Sequence, residues 1–176
     1  MQATGKHFPG HGGIFEDSHI SEPVDNRSYE KLLEIDLKPF IELKNNLSAL
    51  MTAHITFPKV DDICVSYSDI WIKKILKEKL AFEGIVFSDD LSMKGAGDFS
   101  MGEKALKSIE AGCDMILVCN DYDGTMDVID AFEKNDVQMS VKIKDLKNSA
   151  DINWNDLENQ DRVKDVKNLI KEMGRT

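Results

Sequence analysis

The N-terminal segment of the chain concentrates side chains that can transfer protons or bind ligands. Three histidines, one lysine and one aspartate lie between residues 6 and 19, among glycines and a proline that exclude a helix there. One chemistry that fits this set is a metal site, because imidazole and carboxylate groups bind zinc, although the His-x-x-x-His spacing of a helical metal motif is absent. Its ligands would be His7, His11, Asp17 and His19.

The other chemistry is acid–base catalysis by a carboxylate–imidazole pair. Asp17 and His19 are two residues apart, so on an extended segment their side chains point to the same face. A carboxylate beside an imidazole orients the ring and stabilises its charged form, which is suited to donating a proton near neutral pH. Lys6, just upstream, is either buried and paired or a hydrogen-bond donor to a polar ligand.

A second group of candidates follows an apolar run, residues 84–88, that predicts a buried strand. Asp89 and Asp90 come next, and adjacent side chains on a strand point to opposite faces. One carboxylate can therefore face the edge of the sheet while the other binds local backbone. Asp89 is either a cap for the following segment or a functional acid, and position alone favours neither. His54, in the apolar run 47–57, is interpreted as a core histidine rather than a catalytic one.

The elements that must position these groups alternate between apolar strands and amphipathic helices. Besides a strand end at residues 2–4, the pattern predicts strands over residues 47–57, 84–88 and 114–119. It predicts helices over residues 29–44, 69–80, 101–111 and 123–133. This alternation indicates an α/β fold, a parallel sheet covered by helices. Polar side chains follow the strands, at the sheet edge where (β/α)8 barrels and open sheets bind ligands.

The composition argues against some classes of partner and indicates a cellular compartment. The 176 residues carry a formal charge of −10 without a basic cluster, which argues against nucleic acid or an anionic membrane as partner. No apolar run approaches the roughly 20 residues of a membrane-spanning helix. The three cysteines are odd in number and lack Cys-x-x-Cys spacing, which favours a reducing cytoplasm.

Four groups of residues, in this order along the chain, resemble the β-N-acetylhexosaminidases of glycoside hydrolase family 3. They are the run KHFPGHG from Lys6 with Asp17-Ser18-His19, the run MTAH from Met51, the run FSDDLSM from Phe87, and the run AGCDM from Ala111. The resemblance covers about the first 130 residues. It implies a TIM-type (β/α)8 barrel fold, with residues 1–135 as a partial barrel domain and residues 136–176 as a helical C-terminal extension of it.

The resemblance also implies roles for individual residues. Asp89 matches the family's nucleophile, His19 its acid/base and Asp17 the partner of that histidine. Lys6 and His7 match residues that bind the sugar. A retaining glycosidase uses a nucleophile on one face of the anomeric carbon and a proton donor on the other, and needs neither metal nor cofactor. The implied reaction is the removal of terminal β-linked N-acetylglucosamine from muropeptides or chitooligosaccharides, in cytoplasmic peptidoglycan recycling.

This chain differs from members of the family in one respect that bears on activity. Family members carry about half a barrel before the lysine–histidine motif, whereas this chain begins close to that motif. We therefore expect the C-terminal half of a barrel, with about four parallel strands and additional C-terminal helices. Alternatives to an active hexosaminidase are an inactive fragment and a half-barrel that needs a partner, either a separate N-terminal half or a second copy. A metal-dependent hydrolase is the remaining alternative.

Overall fold

The structure is a computed structural model that describes residues 2–138, 140–146 and 153–174. Within these residues, the strands are β1 (Thr4–Phe8), β2 (Ala49–Thr52), β3 (Thr56–Phe57), β4 (Asp61–Cys64), β5 (Ile85–Asp90) and β6 (Met115–Leu117). The helices are α1 (Tyr29–Glu34), α2 (Lys38–Leu43), α3 (Ile70–Lys79), α4 (Met101–Ala111), α5 (Tyr122–Lys134), α6 (Trp154–Asn159) and α7 (Asp161–Met173). Of these, α3 has the wider turns of a π-helix, as in the bond from the Leu80 amide to the Ile75 carbonyl. Short 3-10 turns lie at Lys44–Asn46, Val65–Tyr67, Lys94–Ala96 and Val141–Leu146.

Four strands form a parallel sheet in the order β1-β2-β5-β6. Helices connect the strands, since parallel neighbours cannot be joined by a tight turn. The expected α/β architecture with about four parallel strands is confirmed. Strands β3 and β4 pair separately as a short antiparallel hairpin. Because the strands of the main sheet are parallel, their carboxyl ends meet at one edge, and that edge carries the polar residues identified from the sequence.

One face of the sheet packs against helices and forms the hydrophobic core. Leu50 of β2 and Val86 of β5 are in register and fully buried. Trp71 of α3 is also fully buried, with its ring centroid 6.1 Å from that of Phe8 and 5.2 Å from that of Phe57. Burial of a large apolar side chain stabilises a fold by roughly 1.5–3 kcal/mol, so this cluster holds the helices on the sheet.

The opposite face of the sheet is less covered. Met51, Phe87 and Met115 lie side by side, in register across three strands, and each is half-buried. In a closed barrel the face turned away from the helices is the interior, which side chains fill. We call these three residues the inner-face row.

Two predicted elements differ from those observed. The helix predicted over residues 29–44 is interrupted between α1 and α2, where the Leu37 amide donates to the Leu32 carbonyl. Pro39 explains the interruption, because a proline inside a helix removes one hydrogen bond and clashes with the preceding turn. The strand predicted over residues 47–57 is two strands, since Ala53 donates to the Phe8 carbonyl and the chain then turns into the hairpin.

Other boundaries lie close to prediction. The helix predicted over residues 101–111 is confirmed, with Ser100 and Glu103 forming a capping box and Gly112 closing it in the left-handed conformation. The N-terminal strand extends beyond residue 4, so Lys6 and His7 lie within β1 rather than after it.

The chain divides into two compact units, Met1–Leu146 and Lys147–Thr176. The first contains the sheet and helices α1 to α5, and the second contains α6 and α7. In the part of the chain that the structure describes, no helix is both long and apolar enough to cross a bilayer.

Neighbouring residues of β2 offer a test of which face is the core. Leu50 is fully buried against the helices, whereas Met51 belongs to the inner-face row. We expect Leu50→Ala to lower the free energy of unfolding by about 2–5 kcal/mol, because it removes methyl groups from a packed core. Met51→Ala is the matched control, with an expected loss below about 1 kcal/mol. Urea titration followed by circular dichroism measures both, and equal losses would contradict the assignment of the faces.

Candidate active site

Asp89 lies at the carboxyl end of β5, in the stretch between Phe87 and Asp90 where the pairing with β6 is irregular. Its side chain is only 15% exposed, and its Oδ1 accepts a hydrogen bond of 2.9 Å from the Asp90 amide. Its Oδ2 lies 3.5 Å from Nε2 of His7 on β1. The structure thus brings together Asp89 and His7, which the sequence separates widely, across the carboxyl edge of the sheet.

The protonation state of His7 follows from its surroundings. Burial is the largest influence and lowers the pKa of the imidazole; Asp89 raises it, and Lys6 lowers it further. The net effect is a pKa below the usual 6.5, so His7 is neutral at pH 7. It therefore acts through an N–H donor and an acceptor nitrogen rather than through a full positive charge. Lys6, the preceding residue of β1, has an exposed side chain.

Asp17 and His19 form a hydrogen-bonded pair on the loop after β1. Asp17 Oδ1 accepts from Nδ1 of His19 at 2.7 Å and from the backbone amide of His19 at 2.9 Å. These two bonds, the backbone one first, lower the pKa of the Asp17 carboxyl, which is therefore ionised at neutral pH. With Nδ1–H donated to Asp17, Nε2 is the ring nitrogen that can exchange a proton with a ligand. The side chains of both residues are mostly exposed.

Ser18, between these two residues, anchors the loop. It is buried, and its carbonyl accepts a 2.8 Å hydrogen bond from the Gly95 amide in the turn that follows β5. A Cβ on Gly95 would lie 2.8 Å from that carbonyl oxygen, so only glycine permits this approach. The Ser18 hydroxyl lies 3.2 Å from Nε2 of His11. The Asp17–His19 pair therefore rests on the segment that continues from Asp89.

Asp90 has a different environment from its neighbour. Its Oδ1 accepts from the backbone amides of Ser92 and Cys119, each at 3.0 Å, and its Oδ2 accepts from the Ser92 hydroxyl at 2.6 Å. Burial raises the pKa of Asp90, but the hydrogen bonds from Ser92 and Cys119 outweigh it and lower the pKa overall. Both carboxylates of the doublet accept from a nearby backbone amide, but both oxygens of Asp90 are engaged by Ser92 and Cys119, whereas Oδ2 of Asp89 lies near His7. Asp90 ties the end of β5 to the segment after β6.

The four candidate metal ligands do not converge. Among residues 2–138, 140–146 and 153–174, no three His, Cys, Asp or Glu side chains lie close enough to hold one metal ion. Instead, His7 faces Asp89, His11 contacts Ser18, and Asp17 pairs with His19. In this structure the segment therefore presents separate polar pairs, and the acid–base alternative is the one that its geometry supports.

Comparison with known protein families places these residues in context. The family model described as the glycosyl hydrolase family 3 N terminal domain matches residues 1–148. The chain belongs to glycosyl hydrolase family 3. The match includes every candidate site residue, from Lys6 to Asp89.

Individual relatives agree with this family. A protein from Haemophilus influenzae named beta-hexosaminidase is 42% identical in an alignment 165 residues long, which covers 89% of this chain and 47% of the relative. Native NagZ from Neisseria gonorrhoeae is 43% identical with a TM-score of 0.67, covering 74% of this chain and 38% of that one. A family 3 beta-N-acetylglucosaminidase from Paenibacillus is 30% identical with a TM-score of 0.73, covering 87% and 33%. The chain spans between 39% and 50% of the length of the eight curated relatives compared with it.

In this family 3 chain a buried ion cluster packs against the loop that follows β1. The sequence analysis did not predict this cluster. Arg27 Nη2 lies 2.6 Å from Asp25 Oδ2, and Arg27 Nη1 lies 2.6 Å from Asp36 Oδ2. Both carboxylates are about 95% buried. A Cβ on Gly10 would lie 2.5 Å from the Cβ of Asp36, and one on Gly13 would overlap the Arg27 guanidinium. Gly10 of the motif and Gly13 just after it therefore let the loop approach this cluster closely. The short spacing of Asp25 and Arg27 is the signal in the sequence that could have revealed it.

The charge balance of this cluster generates a prediction. Burial raises the pKa of Asp25, but the hydrogen bonds from Arg27 outweigh it and hold the pKa below its usual value. The stabilisation is therefore present above about pH 4, the pKa of an unfolded aspartate, and is lost as the pH falls through the folded-state pKa. We expect Arg27→Met to lower the free energy of unfolding at pH 7 by about 2–4 kcal/mol, because two buried carboxylates lose their cation.

Urea unfolding at a series of pH values measures this effect. The difference between Arg27→Met and the unsubstituted chain should shrink below about pH 4, where protonated carboxyls need no cation. Lys38→Met is the matched control, since Lys38 makes only an exposed contact of 4.0 Å with Glu42; its loss should stay below about 0.5 kcal/mol. A loss for Arg27→Met that is the same at every pH would contradict the electrostatic explanation.

Proposed function

We propose that this chain supplies the catalytic half of a β-N-acetylhexosaminidase that removes terminal β-linked N-acetylglucosamine with retention of configuration. The observation that carries the proposal is one arrangement at the carboxyl edge of the sheet. Asp89 projects from the end of β5 beside His7, and the Asp17–His19 pair is anchored to the segment that follows Asp89. The names of the relatives, beta-hexosaminidase and beta-N-acetylglucosaminidase, support the same reaction.

The mechanism assigns one bond change to each group. In the first step an oxygen of Asp89 forms a bond to the anomeric carbon while the glycosidic carbon–oxygen bond breaks, and Nε2–H of His19 protonates the leaving oxygen. In the second step His19 takes a proton from water, whose oxygen displaces Asp89 from the sugar. Asp17 holds the imidazole ring through Nδ1 and stabilises its charged form. We assign to Lys6 and neutral His7 the binding of sugar hydroxyls.

The natural substrates follow from the same proposal. Muropeptides or chitooligosaccharides with a terminal β-linked N-acetylglucosamine would present the required bond, which places the protein in peptidoglycan recycling. A cytoplasmic location is supported by the free thiols of Cys64, Cys113 and Cys119.

Activity in this proposal requires a complementary half. The inner-face row of Met51, Phe87 and Met115 is half-buried, and the chain covers 47% of the Haemophilus influenzae relative. A second set of strands, from a separate N-terminal half or from a second copy of the chain, would cover the row and extend the sheet toward a barrel.

Hydrolysis of a fluorogenic N-acetyl-β-glucosaminide tests the assignment of Asp89. The chain is assayed alone and mixed with the part of the Haemophilus influenzae relative that it does not match. We expect turnover in at least one condition, and Asp89→Asn, which keeps the shape of the side chain, should lower kcat more than about a thousandfold because the nucleophile is lost. Equal turnover by the unsubstituted chain and by Asp89→Asn would refute the role of Asp89. If neither of them turns over substrate, alone or in the mixture, the chain is a non-enzymatic fragment.

The role of the Asp17–His19 pair is tested through the leaving group. Asp17→Asn keeps the geometry but removes the charge that stabilises the imidazolium. We expect cleavage of chitobiose, which has a poor leaving group, to slow by about a hundredfold, because that step depends on protonation. Cleavage of a 4-methylumbelliferyl glycoside, whose leaving group needs less protonation, should slow far less. Equal slowing of both substrates would contradict an acid/base role for the pair.

A further inference from the structure

His54 occupies a fully buried position just after β2, and both of its ring nitrogens have partners. Nε2 lies 3.0 Å from the carbonyl oxygen of Asp90, and Nδ1 lies 3.0 Å from the hydroxyl of Ser66. The expectation of a core histidine describes its burial but not its partners. One partner is the residue that directly follows the proposed nucleophile.

The hydrogen-bond partners fix the tautomer of this ring. A carbonyl oxygen only accepts, so Nε2 of His54 must carry the proton that is donated to Asp90. Burial is the largest influence and lowers the pKa of His54, so the ring is neutral and Nδ1 accepts from Ser66. The Ser66 hydroxyl has two acceptors in reach, Nδ1 of His54 at 3.0 Å and the Ala53 carbonyl at 3.2 Å, and the nearer one is the ring nitrogen. With the Ser66 proton directed to His54, Oγ1 of Thr52, 2.7 Å away, donates to Ser66. Thr52, Ser66 and His54 thus form a directed chain of hydrogen bonds that ends on the Asp90 carbonyl.

This chain restrains the carboxylate of Asp89 through a single residue. Asp90 accepts from His54 with its carbonyl and donates its amide to Asp89 Oδ1 at 2.9 Å. Both backbone polar groups of Asp90 are therefore held: the carbonyl by the buried His54 ring and by the Met93 amide at 3.1 Å, and the amide by the proposed nucleophile. A shift of the Asp90 backbone would move its amide and release the carboxylate.

His54 also supports the loop that carries the acid/base pair. A Cβ on Gly95 would lie 3.1 Å from the Cβ of His54, so the two residues pack closely. The amide of Gly95 holds the carbonyl of Ser18, the residue between Asp17 and His19. One side of His54 therefore holds the end of β5, and the other side backs the turn on which the loop rests.

We propose that His54 is a positioning residue that sets the Asp89 carboxylate relative to the Asp17–His19 pair. This role rests on the proposed function, because it matters only if these groups act on one sugar. His54 needs no contact with the substrate. Displacing a reacting group by about 1 Å can slow a reaction about a hundredfold, so a residue that fixes two loops has a large effect on kcat and little effect on KM.

Two substitutions of His54 separate positioning from packing. In His54→Gln the side-chain amide nitrogen reaches the position of Nε2 and can donate to Asp90. In His54→Asn the amide is at the level of Nδ1, so it can meet Ser66 but not Asp90. With the complementary half present, we expect Gln to keep kcat within about tenfold and Asn to lower it about a hundredfold with KM nearly unchanged. Equal losses in both variants would overturn the proposal, since packing alone would then explain them.

Amide hydrogen exchange of the chain gives a readout that does not require turnover. In His54→Asn the amides of Asp90 and Gly95 should exchange at least about tenfold faster, whereas in His54→Gln they should stay protected. Unchanged protection in the Asn variant would overturn the role of His54 even if the enzyme is active. If the unsubstituted chain turns over no substrate under any condition, the proposed function fails, and the exchange rates alone decide whether His54 holds both segments.

Ser66→Ala provides a milder test if His54→Asn does not fold. It removes the hydroxyl that selects the Nε2–H tautomer and leaves the imidazole in place. Faster exchange at Asp90 and a several-fold loss of kcat would support the chain of hydrogen bonds, and no change in either would refute it.

Chemical rescue offers a further test, because a cavity of about 510 Å³ is lined in part by His54 and Gly95. Added imidazole should therefore restore Asp90 protection and kcat in a His54→Gly variant, and failure of both would count against the proposal.

Discussion

Parallel pairing of β1, β2, β5 and β6 is the constraint on which the candidate site depends. Parallel strands point their carboxyl ends to one edge, so residues far apart in sequence become neighbours there. The registers of Phe8 with Thr52 and of Asp90 with Leu117 mark that edge. Lys6 and His7 reach it from β1, and Asp89 reaches it from β5. A sheet of antiparallel strands would place half of these groups at opposite ends.

The edge contains two classes of charged group, and burial distinguishes them. Asp90, Asp25 and Asp36 are buried or partly buried and are satisfied by amide donors or by Arg27, because an unpaired buried carboxylate would be strongly destabilising. The Asp17–His19 pair is exposed, and the hydrogen bonds between its two residues stay within the loop itself. Its position comes from buried Ser18, held by the Gly95 amide. The exposed side chains that can contact a ligand are therefore positioned by buried neighbours that cannot.

Close backbone approach links these two classes. Gly95 lies against both Ser18 and His54, and Gly10 and Gly13 lie against the Arg27 cluster. At each contact a side chain would occupy the space of the opposing segment. The glycines of this segment therefore permit close packing as well as loop conformations. The loop that carries Asp17 and His19 is held in place by that packing.

Much of this protein follows from the sequence by itself. Alternating apolar runs and amphipathic stretches determine a parallel α/β sheet, and the position of Asp89 after an apolar run places it at the sheet edge. The spacing of Asp17 and His19 predicts their pairing, although the segment is a turn, closed by the amides of Ile20 and Ser21 on the Asp17 carbonyl, and not the extended chain that the sequence argument assumed. These inferences are reliable because periodicity and local spacing depend on backbone geometry alone. The division of residues 29–44 into two helices could also have been predicted, from Pro39.

Only the tertiary structure decided that Arg27 joins Asp25 to Asp36, that Gly95 holds Ser18, and that His54 binds the Asp90 carbonyl. Those partners come from segments distant in the chain, and close packing between segments, which no local pattern encodes, determines which of many polar groups meet.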